Sequence, residues 1–166
     1  MFTSISNHRR IHDVFLNFRG KDTRRKIVSH LYAALKNAGI NTYIDNQLFK
    51  GTELGYQLLR GIENSRIAII VFSKNYTQSS WCLNELQKVM ECHRTSGQLV
   101  LPVFYNVDPS VVRHQKGDFG KVLRATAKKV YFRSEGKEKM ENMLSNWSTA
   151  LTQAAYLSGW NVTEYR

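Results

Sequence analysis

An α/β domain built on a parallel sheet is the architecture this sequence predicts, and three observations predict it. Strand-length apolar runs alternate with stretches of helical periodicity along the whole chain. The run Ile67-Ala68-Ile69-Ile70-Val71-Phe72 is apolar without a break, the pattern of a strand covered on both faces. The runs are separated by loops rich in Gly, Asn, Asp and Pro, which punctuate secondary structure. Strand–helix–strand alternation implies right-handed crossovers that lay helices on the sheet faces.

Each element follows from its local pattern. Residues 13–18 form a first strand, ending in the basic loop Arg19-Gly20-Lys21-Asp22. The next helix carries Ile27, Leu31, Ala34, Leu35 and Ala38 on one stripe, expected to face inward, and Asn37-Ala38-Gly39 stops it. A short second strand at 41–44 leads into the loop 45–52, which contains Lys50-Gly51. The helix after it directs Leu54, Leu58, Leu59 and Ile62 inward. Beyond the buried strand, Ser79 or Ser80 is placed to cap a helix containing Trp81-Cys82-Leu83-Asn84-Glu85-Leu86. Residues 99–105 make a fourth strand, closed at Pro109, which cannot donate to a ladder. Residues 118–131 are helical, 133–139 form a charged loop, and a last helix at about 140–156 places Leu144, Trp147, Leu151 and Ala154 on one face. The chain after Tyr131 contains no clear β-run, so a fifth strand is short or weak.

At 166 residues the chain has the size of one domain with a full core, read as an N-terminal arm at 1–11, a domain at 12–161 and a tail at 162–166. No apolar run has the length of a membrane span, and the N-terminus lacks an apolar signal region. The two cysteines, Cys82 and Cys92, lie ten residues apart on one helix. That separation is about 15 Å of rise, too far for a disulfide, and a reducing, intracellular setting fits. Lys and Arg number 24 against 13 Asp and Glu, a formal net charge of +11 that favours anionic partners, whether nucleic acid, nucleotide or acidic protein.

The motif inventory excludes several chemistries. No glycine-rich dinucleotide or triphosphate loop and no paired C-x-x-C is present, and the five histidines have no metal-ligand spacing, so no metal site is expected. The remaining constellation is Trp81 and Glu85, four residues apart on the first turns of a helix that opens beyond the carboxyl end of a buried strand. Open parallel sheets bind ligands there. Glu85 lies too far into the helix to complete a capping box; on spacing alone it reads equally as a surface acid and as a functional one, at the edge of the stripe Leu83, Leu86 and Met90. Trp81 reads as a core anchor or as a stacking surface, and Cys82 as a small core hydrophobe. The cluster Arg19, Lys21, Arg24, Arg25 and Lys26 is either a solvated face or a phosphate site at a helix start, where Gly20 lets the backbone approach and Asp22 or Thr23 serves as cap.

The motifs then identify a family. The segment Asp13-Val14-Phe15-Leu16-Asn17-Phe18-Arg19-Gly20-Lys21-Asp22-Thr23-Arg24 closely resembles the opening of a plant TIR (Toll/interleukin-receptor) domain. So do Ser80-Trp81-Cys82-Leu83-Asn84-Glu85-Leu86, the stretch from Pro102-Val103-Phe104 to Val112-Arg113, and Leu157-Ser158-Gly159-Trp160. The resemblance covers residues 12–161 and implies a flavodoxin-like fold of five parallel strands in the order 2-1-3-4-5. It further implies a role in plant intracellular immunity through cleavage of NAD⁺ or NADP⁺ at the nicotinamide–ribose bond, with these dinucleotides as substrates and no bound cofactor. Glu85 matches the catalytic glutamate, Trp81 the pocket wall, and Arg19, Gly20 and Arg24 the phosphate-binding positions. Asp45, Lys50 and Gly51 fall in the loop that rearranges when domains stack. Ser29 and His30 match a self-association face, to which the last helix would contribute. The implied partners are further copies, other TIR domains and lipase-like regulators that sense the products, in the cytoplasm or the nucleus. The sequence departs from the family pattern at Asn17, usually serine, at Lys21, usually an acid, and at Asn46, usually aspartate. A non-catalytic scaffold and a nucleic-acid-binding or -cleaving domain are the competing functions.

Overall fold

The computed structural model describes residues 11–45, 55–131 and 136–164. Its strands are β1 (His12–Phe18), β2 (Thr42–Ile44), β3 (Ser65–Phe72), β4 (Leu99–Tyr105) and β5 (Trp160–Val162). They form one sheet in the order β2-β1-β3-β4-β5, every neighbouring pair parallel. The helices are α1 (Gly20–Thr23), α2 (Ser29–Asn37), α3 (Tyr56–Glu63), α4 (Ser80–Ser96), α5 (Pro109–His114), α6 (Gly117–Tyr131) and α7 (Lys137–Ala155). This is the expected flavodoxin-like arrangement, with the strand order reversing between β1 and β3 and a ligand crevice available beyond the carboxyl ends.

Alternation along the strands sorts side chains onto two faces. Phe15, Ala68, Ile70, Phe72, Val100 and Phe104 meet α3, α4, α6 and α7 in the larger core, where Trp147, Leu151 and Leu86 are fully buried. Val14, Leu16, Phe18, Val71, Val103 and Tyr105 form the smaller core on the opposite face, with Val28, Leu31 and Leu35. The helix above this smaller core differs from expectation. Ala34 and Ala38 are exposed, and α2 buries no residue fully, because only Leu31 and Leu35 reach the sheet. A π-helical stretch, Arg24–Val28, with Lys26 at φ −122° and ψ −116°, kinks the chain between α1 and α2.

Three other differences are local. The first helical turn is capped by Arg19 without a side-chain bond, so neither Asp22 nor Thr23 is the cap; the Thr23 hydroxyl instead donates to the Arg19 carbonyl. A short helix, α5, follows Pro109 and is capped by Asp108, whose carboxylate accepts from the Ser110 amide at 2.8 Å. The last helix starts at Lys137, before the expected position. The fifth strand is short, as expected. It pairs only with Val103, Phe104 and Tyr105, beyond Pro102, which has no N–H for the ladder. Gly159 is required at its entrance, because a Cβ there would lie 2.0 Å from the Pro102 carbonyl oxygen.

Candidate functional site

The site is assembled where α4 begins. After β3 the chain makes a single 3₁₀ turn, Tyr76–Gln78, and the Ser79 hydroxyl then accepts from the Cys82 amide at 3.1 Å, fixing the helix start. This cap sets the phase of α4. It sends Cys82 and Leu83 into the core, leaves Trp81 half-buried at the core's rim, and turns Glu85 inward toward the end of β1. Glu85 is no surface acid: it is 2% exposed. Its placement on the sheet side of α4 was not readable from spacing that put it at the edge of a stripe.

Glu85 is held by Asn17, fully buried near the end of β1, whose Nδ2 donates to Glu85 Oε1 at 2.9 Å and to the Cys82 carbonyl at 3.2 Å. The Tyr76 hydroxyl donates to Asn17 Oδ1 in a short bond, completing a buried polar chain. Glu85 Oε2 has no hydrogen-bond partner among the described residues. Burial raises the Glu85 carboxyl well above its ordinary range, and the neighbouring Asp45 carboxylate raises it further; the hydrogen bond from Asn17 and the nearby Trp81 N–H oppose both. The Trp81 indole N–H donates to Asp45 Oδ2 at 2.6 Å, joining α4 to the end of β2. Tyr43 of β2 stands behind them, raised by burial, Asp45 and Glu85. Its ring packs over Gly61, where a Cβ would come within 2.6 Å. Cys82 donates its thiol to the Phe18 carbonyl, and burial with the Glu85 charge pushes it up to about 12, which removes it as a nucleophile.

Of the residues expected from sequence, Glu85, Trp81 and Asp45 are therefore brought together. The basic residues lie beyond β1. Arg19 is engaged with Asp22 at 2.5 Å and Gln78 at 2.8 Å, while the Arg24 guanidinium lies 5.5 Å from the Phe18 ring centroid. Gly20 makes room for that guanidinium, since a Cβ there would meet Arg24 Nε at 3.2 Å. Lys50, Gly51 and Asn46, like Leu54, lie outside the described residues. Ser29 and His30 are exposed on α2, over the smaller core, whereas α7 packs into the larger core on the other face. The last helix and Ser29-His30 thus do not form one continuous patch. Sequence reasoning did not find Tyr76, Tyr43 or the bond from Asn17 to Glu85. A polar Asn17 inside an otherwise apolar strand end was the available signal. Among the described residues no cluster of His, Cys, Asp and Glu has metal-binding geometry, and no helix is long and apolar enough to cross a membrane.

Comparison with known proteins decides the family. The TIR domain model matches residues 11–166. The chain belongs to the TIR-domain family. Among its relatives are disease resistance proteins of plants: RUN1 of Vitis rotundifolia, 48% identical over 152 residues and 90% of this chain; RPV1 of the same species, 46% over 155 residues and 93%; and the TMV resistance protein N of Nicotiana glutinosa, 44% over 160 residues and 96%. This TIR domain spans only 10%, 11% and 13% of RPV1, RUN1 and N respectively. Among solved structures, the TIR domains of the activated Roq1 resistosome, described as directly recognizing the pathogen effector XopQ, superpose with a TM-score of 0.78 at 42% identity, covering 90% of this chain and 87% of that one.

Proposed function

We propose that this TIR domain cleaves NAD⁺ and NADP⁺ at the nicotinamide–ribose bond, in plant immune signalling, when copies of it associate. The observation that carries the reading is Glu85 Oε2, a buried carboxylate oxygen without a partner among the described residues, beside Trp81 at the carboxyl end of a parallel sheet. Breaking the N-glycosidic bond leaves positive charge on the ribose, and a carboxylate fixed against it stabilises that transition state. Nicotinamide departs neutral from a pyridinium, so no general acid is needed. Water adds to the ribose carbon and releases a proton, giving ADP-ribose; attack by a nucleophile of the same molecule instead gives a cyclic product. Arg19 and Arg24, beyond the end of β1, would take the pyrophosphate, Arg19 by exchanging its bond to Asp22.

The Trp81–Asp45 bond and the burial of Glu85 describe a closed resting state. Substrate entry requires that bond to part, and Asp45 begins the loop that also carries Lys50 and Gly51. Parting of the Trp81–Asp45 bond on self-association, with the exposed Ser29 and His30 on α2 as one contact face, is the activation step in this reading. Products would pass to lipase-like regulators within the cytoplasm or nucleus.

The test is NAD⁺ consumption by the concentrated chain, wild type beside Glu85→Gln, with products separated by mass spectrometry. Loss of NAD⁺ in the wild type alone is expected. No loss in either, in samples that self-associate by light scattering, would sink the enzymatic reading and leave a scaffold working through α2. The net charge of +11 supports a third reading, nucleic-acid binding, which steep salt dependence of DNA or RNA affinity would reveal.

A further inference from the structure

Asn17 bonds three partners where the end of β1 meets Glu85. One Nδ2 hydrogen goes to Glu85 Oε1 and the other to the Cys82 carbonyl, while Oδ1 accepts from Tyr76. The orientation of the amide is dictated by these partners. Flipped, it would aim Oδ1 at two acceptors and its NH₂ at the Tyr76 hydroxyl. That hydroxyl also lies 3.2 Å from the Cys82 carbonyl, but it has one proton, and Asn17 Nδ2 already serves that carbonyl. Tyr76 itself is immobilised: it is fully buried and meets Phe72 edge-on, with ring centroids 5.0 Å apart.

Resting on the reading above, we propose that Asn17, locked by Tyr76, is the positioning residue that occupies Glu85 Oε1 and so presents Oε2 to the substrate ribose. The other charged and titratable groups near this carboxyl are Asp45 and Tyr43 at the end of β2 and Cys82 on α4, with Arg19 and Asp22 beyond β1 on the Cys82 side. Asp45, Tyr43 and Cys82 give Glu85 no charge of opposite sign. The Asn17 amide is then the hydrogen bond that favours the ionised form against burial and Asp45, with the Trp81 N–H, bonded to Asp45, close enough to add to it.

The experiment follows the Glu85 carboxyl by NMR of the whole chain labelled with ¹³C-glutamate, the resonance being assigned by its loss in Glu85→Gln. In Asn17→Leu, which keeps the volume and removes the donor, Glu85 should hold its proton about tenfold more tightly. Tyr76→Phe, which keeps the ring and frees the amide, should move the titration the same way by less. The acidic limb of kcat for NAD⁺ should shift upward in parallel, with KM within about twofold. A merely structural role for Asn17 would lower the melting temperature and leave the titration in place. An unchanged Glu85 titration in either folded variant overturns the proposal; if Asn17→Leu does not fold, Tyr76→Phe decides alone. Wild-type protein that fails to consume NAD⁺ defeats the functional reading, while the shift in the Glu85 resonance still rules on Asn17.

Discussion

Two regions lie side by side beyond the carboxyl ends of the strands, and they treat carboxylates in opposite ways. One, between β1, β2 and α4, encloses Glu85 with Asn17, Tyr76, Tyr43 and Trp81. The other is an open groove of about 1100 Å³ along β3, β4 and β5, bordered by Lys21, Lys74, Asn106, Asp108 and Glu164. Glu85 is raised because burial removes water from its charge. Asp108, fully solvated at the start of α5, is lowered because the Ser110 hydroxyl and amide both donate to it. The two acids thus differ because Glu85 is shut away from water within α4, whereas Asp108, at the cap of α5, is met by two donors. The first region holds a buried acid raised by its surroundings, the pattern that marks candidate functional sites.

The largest break in this contrast comes from Glu85→Gln. Cleavage of NAD⁺ should fall by roughly 10²–10³-fold, while the melting temperature holds or rises, since a carboxyl whose ionisation burial opposes gives way to a neutral amide and Asn17 keeps an acceptor. Activity and thermal melts on the same sample check both halves. Next is Gly61→Ala, which drives a methyl into the Tyr43 ring behind the site. It should cost roughly 1–3 kcal/mol by denaturant unfolding.

The pH dependence of stability sharpens the contrast further. Glu85 keeps its proton to higher pH folded than unfolded, so its contribution declines as pH climbs from its ordinary 4.5 toward the raised folded value. Asp108 runs the other way: its contribution is present above its ordinary 3.8 and is lost as pH falls through the lowered folded value. Melting curves against pH should flatten on the first side in Glu85→Gln and, more weakly, on the second in Asp108→Asn. The smallest effect belongs to Lys74→Ala. Lys74 is exposed and makes no ion pair among the described residues, so stability should stay within about 0.5 kcal/mol.

The two regions also divide what was legible in advance. The Ser79 cap, the buried Cys82, and the presence of strands β1, β3 and β4 follow from patterns within a few residues, while their order in the sheet came with the family resemblance. Trp81 with Glu85 was visible as a spacing, and Asp45 was expected through the family loop. Tyr76 was not visible, and neither was the Asn17–Glu85 bond, because it joins residues 68 apart in sequence. Ala34 and Ala38 were misplaced for a similar reason. Periodicity gives a helix its apolar stripe, yet the kink at Lys26 sets how that stripe lies on the sheet.

The sequence by itself determined the parallel α/β class, the alternation of the main strands and helices and, through its motifs, the family, and it offered Glu85 as a candidate acid. Local capping, periodicity and strand-length apolar runs encode the class within short windows, and the family is carried by the motifs. The tertiary structure decided that Glu85 is buried, that one of its oxygens is taken by Asn17 while the other has no partner among the described residues, and that Trp81 is tied to Asp45. Each of these depends on how α4 settles against the ends of β1 and β2. A carboxylate's solvation and partners are set by atoms that only the assembled sheet brings within hydrogen-bond reach.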